Sequence, residues 1–238
     1  PTIEELYSLI LFSGAQGRGF TSTEGYVPFL DTRAFDFAYG SGVGSERVID
    51  VQDWSGTEYV STTMNGEATV FGVNFADGRI KGYPKYEPGT GGAVAKTMYV
   101  RYVRGNPSYG VNDLVDTGAG TILDRATGLE WSRTDSGAGM TWQEALAFVA
   151  AQNATGYLGH DDWRLPTAKE LQTLVDYRRS PDTTASAAID PLFEATVIVN
   201  EGGARDWPFY WSSTAFVDGT THGAAAYAGI PLTHRDHA

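Results

Sequence analysis

Asp162-Trp163-Arg164-Leu165-Pro166-Thr167-Ala168-Lys169-Glu170-Leu171 decides how this chain is read, because the chain opens on the same phrase, Pro1-Thr2-Ile3-Glu4-Glu5-Leu6. A shift of 165 positions sets Pro1, Thr2, Glu5, Leu6 and Leu9 on Pro166, Thr167, Glu170, Leu171 and Leu174, with Ile10 opposite Val175. Further landmarks follow in the same order. Leu30-Asp31 matches Ile189-Asp190, Phe35 matches Phe193, Asp53-Trp54 matches Asp206-Trp207, and Tyr59-Val60-Ser61-Thr62-Thr63 matches Tyr210-Trp211-Ser212-Ser213-Thr214. A period above 100 residues is domain-sized rather than a solenoid unit, so the pattern predicts tandem copies of one module.

The two copies differ at their ends. Residues 1–106 form the expected first module, which lacks the lead-in that residues 113–165 provide to the second. Residues 107–238 form the expected second module, without a clear counterpart of the strand-like Met98-Tyr99-Val100-Arg101-Tyr102-Val103. The break is placed near Gly105-Asn106-Pro107. Either the natural chain extends past both ends or the modules are completed by something else. The absence of an initiator Met agrees with truncation or processing.

At 238 residues the chain can bury roughly 70% of the surface its unfolded form exposes, enough for one large or two modest domains. With 29 acidic against 17 basic residues its formal charge is −12, which opposes nucleic acid and anionic membranes as partners. No apolar run approaches the roughly 18 residues a membrane span needs. The lack of cysteine removes disulfides, thiolate nucleophiles and thiolate metal sites together. Few lysines, 29 glycines and 13% aromatic residues describe a loop-rich, sheet-containing protein of the kind found outside cells.

Thr2-x-x-Glu5, Thr141-x-x-Glu144 and Thr167-x-x-Glu170 each read as a capping box, in which hydroxyl and carboxylate satisfy orphan donors at a helix start. Apolar residues then fall at helical spacing: Leu6, Leu9, Ile10; Trp142, Ala145, Leu146, Val149; Leu171, Leu174, Val175. Each helix is expected to bury one face, the second ending near Asn153 to Gly156 and the third near Tyr177 to Ser180. Phe71, Val73 and Phe75 alternate with Gly72 and Asn74 before Asp77-Gly78, which predicts a hairpin. A second hairpin is read from Gly120-Thr121-Ile122-Leu123 and Leu129-Glu130-Trp131.

This order of elements resembles the DUF1566 family, also called the C-terminal domain of the Legionella collagen-like adhesin. The resemblance rests on Asp124 to Trp131, Thr141 to Asn153, Asp162 to Thr167, Thr167 to Tyr177, Ile189-Asp190-Pro191 and Tyr210 to Thr214. It covers about residues 113–215, with a weaker version from Pro1 to Gly105 that closes on Val100-Arg101-Tyr102-Val103-Arg104-Gly105. The resemblance implies an α+β, C-type-lectin-like fold in which two helices pack on a small twisted antiparallel sheet with long loops. It also implies a bacterial surface or secreted setting with roles in adhesion and in glycan or protein recognition. Formylglycine-generating enzymes share that fold, but their chemistry needs thiols that this chain does not have.

Candidate ligand-binding residues are Trp207, Tyr210, Trp54 and Tyr59, whose flat rings suit sugar C–H faces and protein anchors alike. Strand alternation sends Trp211 inward and leaves Trp207 and Tyr210 for the surface. Trp163-Arg164-Leu165-Pro166 reads as architecture: buried rings ahead of a helix, with Arg164 on a loop carboxylate. The Asp113–Asp124 stretch and Asp161-Asp162 hold oxygens of the kind calcium takes, but lack its dense spacing, and turn chemistry explains them. No cofactor or metal is therefore expected, calcium being the one ion left open. Neither Glu-Pro-Asn nor Gln-Pro-Asp occurs, although Glu87-Pro88-Gly89 comes close. His234-Arg235-Asp236-His237 lacks a third ligand, His160-Asp161 lacks a nucleophile, and no phosphate loop is present.

The expected function is a non-enzymatic recognition or adhesion module, extracellular or at the bacterial surface, binding a glycan or protein through loops and aromatic residues. The alternative is a structural subunit of an extracellular fibre whose incomplete modules are completed by neighbouring chains. A glycan-cleaving enzyme ranks third, since no spacing identifies a carboxylate pair.

Overall fold

The computed structural model describes residues 1–63 and 66–215; the end of the expected second module and the His234 and His237 pair lie outside the described residues. The chain has mixed α and β content with few helices, and it divides into two compact units, Pro1–Tyr109 and Gly110–Thr214.

In the first unit, helix α1 (Ile3–Ser8) starts from the expected capping box, with Thr2 Oγ1 accepting from Glu5 N and Glu5 returning a carboxylate to Thr2 N. It buries Ile3 and Leu6. Strands β1 (Gln52–Thr63), β2 (Glu67–Asn74), β3 (Arg79–Pro84) and β4 (Tyr99–Val100) form one sheet in the order β3-β2-β1-β4. The β1-β2 and β2-β3 pairs are antiparallel, whereas β4 runs parallel to β1 through Asp53 with Tyr99 and Trp54 with Val100. Ile3, Leu6, Ile10, Phe29, Val73 and Phe75 are all buried. The Asp77-Gly78 turn requires glycine, because Gly78 has φ +70° and a Cβ there would lie 2.6 Å from the Phe29 ring. Buried Asn74 is satisfied by donating to Ile49 O (2.7 Å) and accepting from Ala76 N (2.9 Å).

The second unit contains β5 (Leu114–Asp116), β6 (Thr121–Asp124) and β7 (Leu129–Ser132), a three-stranded antiparallel sheet in the order β5-β6-β7. Helices α2 (Trp142–Thr155), α3 (Ala168–Thr173) and α4 (Pro181–Thr184) follow, then a two-stranded ribbon of β8 (Ile198–Val199) and β9 (Arg205–Asp206). Thr141 and Thr167 cap α2 and α3 through complete capping boxes, and α2 stops at Gly156 in the left-handed region.

Two helix expectations need correction. Only Ala145 of α2 is buried, while Leu146 is 41% and Phe148 40% exposed. The helix is Ala-rich with a single charge, Glu144, so its sequence does not distinguish one face from another. The third helix ends at Thr173, short of Tyr177, and Ser180 instead caps the separate α4, with Pro181 at its first position.

Each unit ties its short capped helix to a downstream segment by the same hydrogen bonds. In the first, Gly56 N donates to Pro1 O (2.7 Å), Ile3 N to Thr57 Oγ1 (3.0 Å) and Thr57 N to Ser55 Oγ (3.0 Å). In the second, Ser213 N donates to Pro166 O (2.8 Å), Ala168 N to Thr214 Oγ1 (2.9 Å) and Thr214 N to Ser212 Oγ (3.2 Å). Leu11 N to Phe29 O and Asp176 N to Ala188 O, both 2.9 Å, are likewise equivalent under the shifts of the sequence comparison. These bonds set Trp54-Ser55-Gly56-Thr57 against Trp211-Ser212-Ser213-Thr214, which corrects the expected pairings of Trp54 with Trp207 and Tyr59–Thr63 with Tyr210–Thr214. Strand β1 holds two aromatic-Ser-Thr phrases, and side-chain likeness favoured the wrong one.

Candidate functional site

A groove of about 770 Å³ opens in the second unit between β7, α2, the 134–140 loop and residues 208–211. Trp131, Phe148, Trp163, Phe193, Phe209 and Trp211 contribute to its walls. Among the described residues β7 is the edge of its sheet, and Leu129, Glu130, Trp131 and Ser132 all border this space.

The walls are positioned by main-chain acceptors and one carboxylate. Trp211 Nε1 donates to Met140 O (2.8 Å) and Trp142 Nε1 to Ser212 O (3.1 Å), joining the start of α2 to the Trp211-Ser212 segment. Asn153 clamps Trp163 by accepting from its N and donating to its O, both 2.8 Å, while Trp163 Nε1 donates to Tyr157 O at 2.8 Å. Asp135 accepts from Gly137 N (2.9 Å), Thr196 N (2.7 Å), Thr196 Oγ1 (2.5 Å) and Tyr210 OH (2.9 Å). Burial pushes the Asp135 carboxyl up, but these hydrogen bonds outweigh it and hold it below the ordinary value. Burial and the Asp135 charge push the Tyr210 phenol far up, so it stays a donor.

The groove is acidic in what it leaves over. Arg133 is shared between Asp116 (3.4 Å) and Glu194 (3.3 Å), and Arg164 pairs with Glu170 at 2.6 Å. The Arg164 hydrogen bonds, with those from Thr167, hold the Glu170 carboxyl at about 2. Glu130 accepts from the Thr121 hydroxyl and lies 3.6 Å from His160 Nε2. Asp162 also borders the groove and has no ion-pair partner among the described residues. Trp131 Nε1 is buried with no hydrogen-bond acceptor among the described residues. Arg133 Nε also has no hydrogen bond of good geometry, though it remains within ion-pair distance of Glu194.

The structure brings one of the four expected site residues to this groove. Tyr210 is half-buried and borders it. Trp207 is not on the surface as expected. It is 5% exposed, packed with Ala187 and Ala188, under the Arg205 guanidinium at 4.9 Å. Alternation misplaced it because residues 207–211 are not a strand. Trp54 and Tyr59 lie in the first unit, half-buried and edge-on to Tyr83 (6.2 Å) and Phe71 (5.4 Å). Trp211 is half-buried, against the expectation that it lies in the core. Sequence reasoning missed Trp131 and Phe148 as wall residues; only Leu129-Glu130-Trp131 carried a signal, as half of a hairpin.

The acidic stretch from Asp113 to Asp124 is engaged in turns and ion pairs. Asp124 accepts from Asp113 N, Ala126 N and the Thr127 hydroxyl, Asp116 from Gly118 N, and Asp113 pairs with Arg125. No group of three or more His, Asp or Glu side chains suited to a metal occurs among the described residues.

Residues 120–231 match the Lcl C-terminal domain family, a family of bacterial surface-associated proteins. The match spans every described residue that borders the groove. No curated protein and no solved structure matches the chain. No helix among the described residues is long and apolar enough to cross a membrane.

Proposed function

We propose that this chain is a non-enzymatic recognition module, extracellular or exposed on the bacterial surface, built of two tandem C-type-lectin-like modules and binding a glycan or protein ligand in the groove of the second. The observation that carries this reading is the groove itself: aromatic walls around about 770 Å³, bordered by a buried indole N–H, Trp131 Nε1, without an acceptor among the described residues. A binding site of this kind takes affinity from desolvated rings and orientation from a few polar groups. The tandem reading is supported by the hydrogen bonds that Pro1–Thr57 and Pro166–Thr214 share.

The test is a glycan and extracellular-matrix protein array probed with the purified chain, with calcium and with chelator, alongside the variants Trp131→Phe and Phe148→Ala. Weakened capture by both variants, in protein with an unchanged circular dichroism spectrum, is the expected result. Capture that survives both but is lost on changing Trp54 and Tyr59 would move the site to the first unit. Loss in chelator would instead establish a calcium-dependent lectin.

A second reading, a structural subunit completed by neighbouring chains, is favoured by one observation: among the described residues β7 ends its sheet beside the groove, and Glu194 alone reaches its outer side, at the Arg133 carbonyl.

A further inference from the structure

The two units expose complementary sheet edges. In the second, Arg133 N donates to Gly120 O (3.0 Å) and Ile122 lies opposite Trp131, so Leu129, Trp131 and the Arg133 N–H turn toward β6, while the Arg133 carbonyl accepts from Glu194 N (2.9 Å) on the outer side. Arg125 N to Asp113 O and Thr117 N to Thr121 O show the alternate residues of β6 bonding to β5, which agrees with that phase. Glu130 and Ser132 therefore direct their N–H and C=O groups away from the sheet, along the groove. The side chains there are aromatic, with the carboxylates of Glu130, Asp162 and Glu194, and both arginines of the groove, Arg133 and Arg164, are already held in ion pairs.

In the first unit, β4 is also an edge, paired among the described residues to β1 on one side only. The chain stays exposed from it onward: Tyr99 is 61%, Val100 54%, Tyr102 94% and Val103 54% exposed. Arg104 follows, exposed and without an ion pair among the described residues. This stretch is apolar and basic in a chain of net charge −12, whose overall field opposes unspecific self-association.

We propose that the occupant of the groove is a second copy of this chain, whose Tyr99–Arg104 stretch adds a strand to the outer edge of β7, seats Tyr102 among the groove's rings and sets Arg104 against Glu130 and Asp162. Main-chain pairing supplies affinity, and the side chains supply register and specificity. The contact joins two different surfaces, so each copy keeps one free strand and one free groove, and assembly proceeds head to tail. This inference rests on the groove's being a binding site and names its partner.

The experiment is sedimentation of the full chain across a concentration series. Average mass is expected to rise with concentration and to fall when a synthetic peptide of residues 97–105 is added. Arg104→Glu and Glu130→Arg, each alone, are expected to weaken association about tenfold through like-charge contacts. Mixing the two variants is expected to restore it. The substituted strand of one variant then meets the substituted groove of the other with opposite charges, and the unchanged Arg104 and Glu130 meet at the alternate contacts. Tyr102→Asp, at a side chain 94% exposed and so harmless to the fold, is expected to leave a monomer. A monomer at every concentration, or assembly indifferent to all three substitutions, overturns the inference. If the chain is monomeric yet Phe148→Ala still abolishes capture on the array, the groove reading survives and only the partner is wrong. If Phe148→Ala changes neither capture nor mass, both fail.

Discussion

Replacing Asp135 is expected to loosen the groove more than any other single change at its rim. The carboxylate collects four hydrogen bonds, one inside its own turn at Gly137 and three from residues more than 60 positions away, at Thr196 and Tyr210. Hydrogen bonds to an ionised group contribute about 1.5–3 kcal/mol each when buried. The site is open on one side, so Thr196 and Tyr210 regain water when the carboxylate is gone, and the four contributions do not add. Asp135→Ala is therefore expected to cost about 3 kcal/mol, and Asp135→Asn, which keeps one acceptor oxygen, about half of that. For a unit of this size a loss of about 3 kcal/mol lowers Tm by on the order of 10–20 °C.

Thermal unfolding followed by near-ultraviolet circular dichroism measures the effect, and the pH dependence gives a second, independent reading. The folded-state pKa of Asp135 lies below its ordinary value, so its stabilising contribution is present above the unfolded-state pKa, about 3.9, and is lost as pH falls through the lower folded value. Wild type should therefore lose stability below about pH 4 more steeply than Asp135→Asn, which has no carboxyl to protonate. A cost below about 0.5 kcal/mol for Asp135→Ala, or the same acid sensitivity in Asp135→Asn as in wild type, would refute the role assigned to this residue.

Other expected outcomes concern the supports of the two units. Thr167→Ala removes the acceptor for Glu170 N and is expected to cost about 1 kcal/mol in denaturant unfolding, with no change in the β-sheet signal. Arg101→Ala strands the Asp53 carboxylate, which is 4% exposed and already raised by burial, and is expected to cost about 3 kcal/mol at neutral pH. A raised carboxyl favours folding at low pH and disfavours it as pH rises through the folded pKa, so this variant should recover part of its stability on mild acidification. Gly78→Ala is expected to cost more than about 2 kcal/mol, because it combines φ +70° with a Cβ 2.6 Å from the Phe29 ring; a neutral result in thermal unfolding would show that the turn relaxes freely.

The local signals in this sequence were legible where one residue type has one physical use. Thr-x-x-Glu satisfies donors at a helix start, and all three boxes form. Asp77-Gly78 turns a hairpin, and the residues from Asp113 to Asp124 close turns. What could not be read is which way apolar side chains face once the period is lost. The middle of helix α2, Ala145 to Ala151, is apolar all round, so Leu146 and Phe148 could not be told from core residues. Residues 207–211 hold four aromatic side chains among five positions, and no period separates buried Trp207 from exposed Phe209. The groove is assembled from segments far apart in sequence, Trp131, Phe148 and Tyr210 among them, and nothing local marks residues that meet only through tertiary packing.

On the proposed tandem reading, the hydrogen bonds shared by the two units set Asp53 of the first opposite Tyr210 of the second, immediately before the Trp-Ser phrase of each. Both are polar side chains at the base of the same hydrogen-bonded lock, and each is held by a partner from a different flank. Asp53 receives Arg101, which follows β4 on the C-terminal side and also lies over the rings of Phe35 (5.8 Å) and Phe75 (5.3 Å). Tyr210 donates to Asp135, which follows β7 on the N-terminal side. On that reading one position accepts a clamp from the strand β4 side in one unit and from the β7 side in the other. If the clamps are alternatives, the double variant Asp53→Tyr with Arg101→Ala should destabilise the first unit less than Arg101→Ala alone, because it leaves no buried carboxylate behind. Equal destabilisation by the two would mean that Arg101 acts through its packing on Phe35 and Phe75, and the clamp would then be apolar in the first unit and polar only in the second.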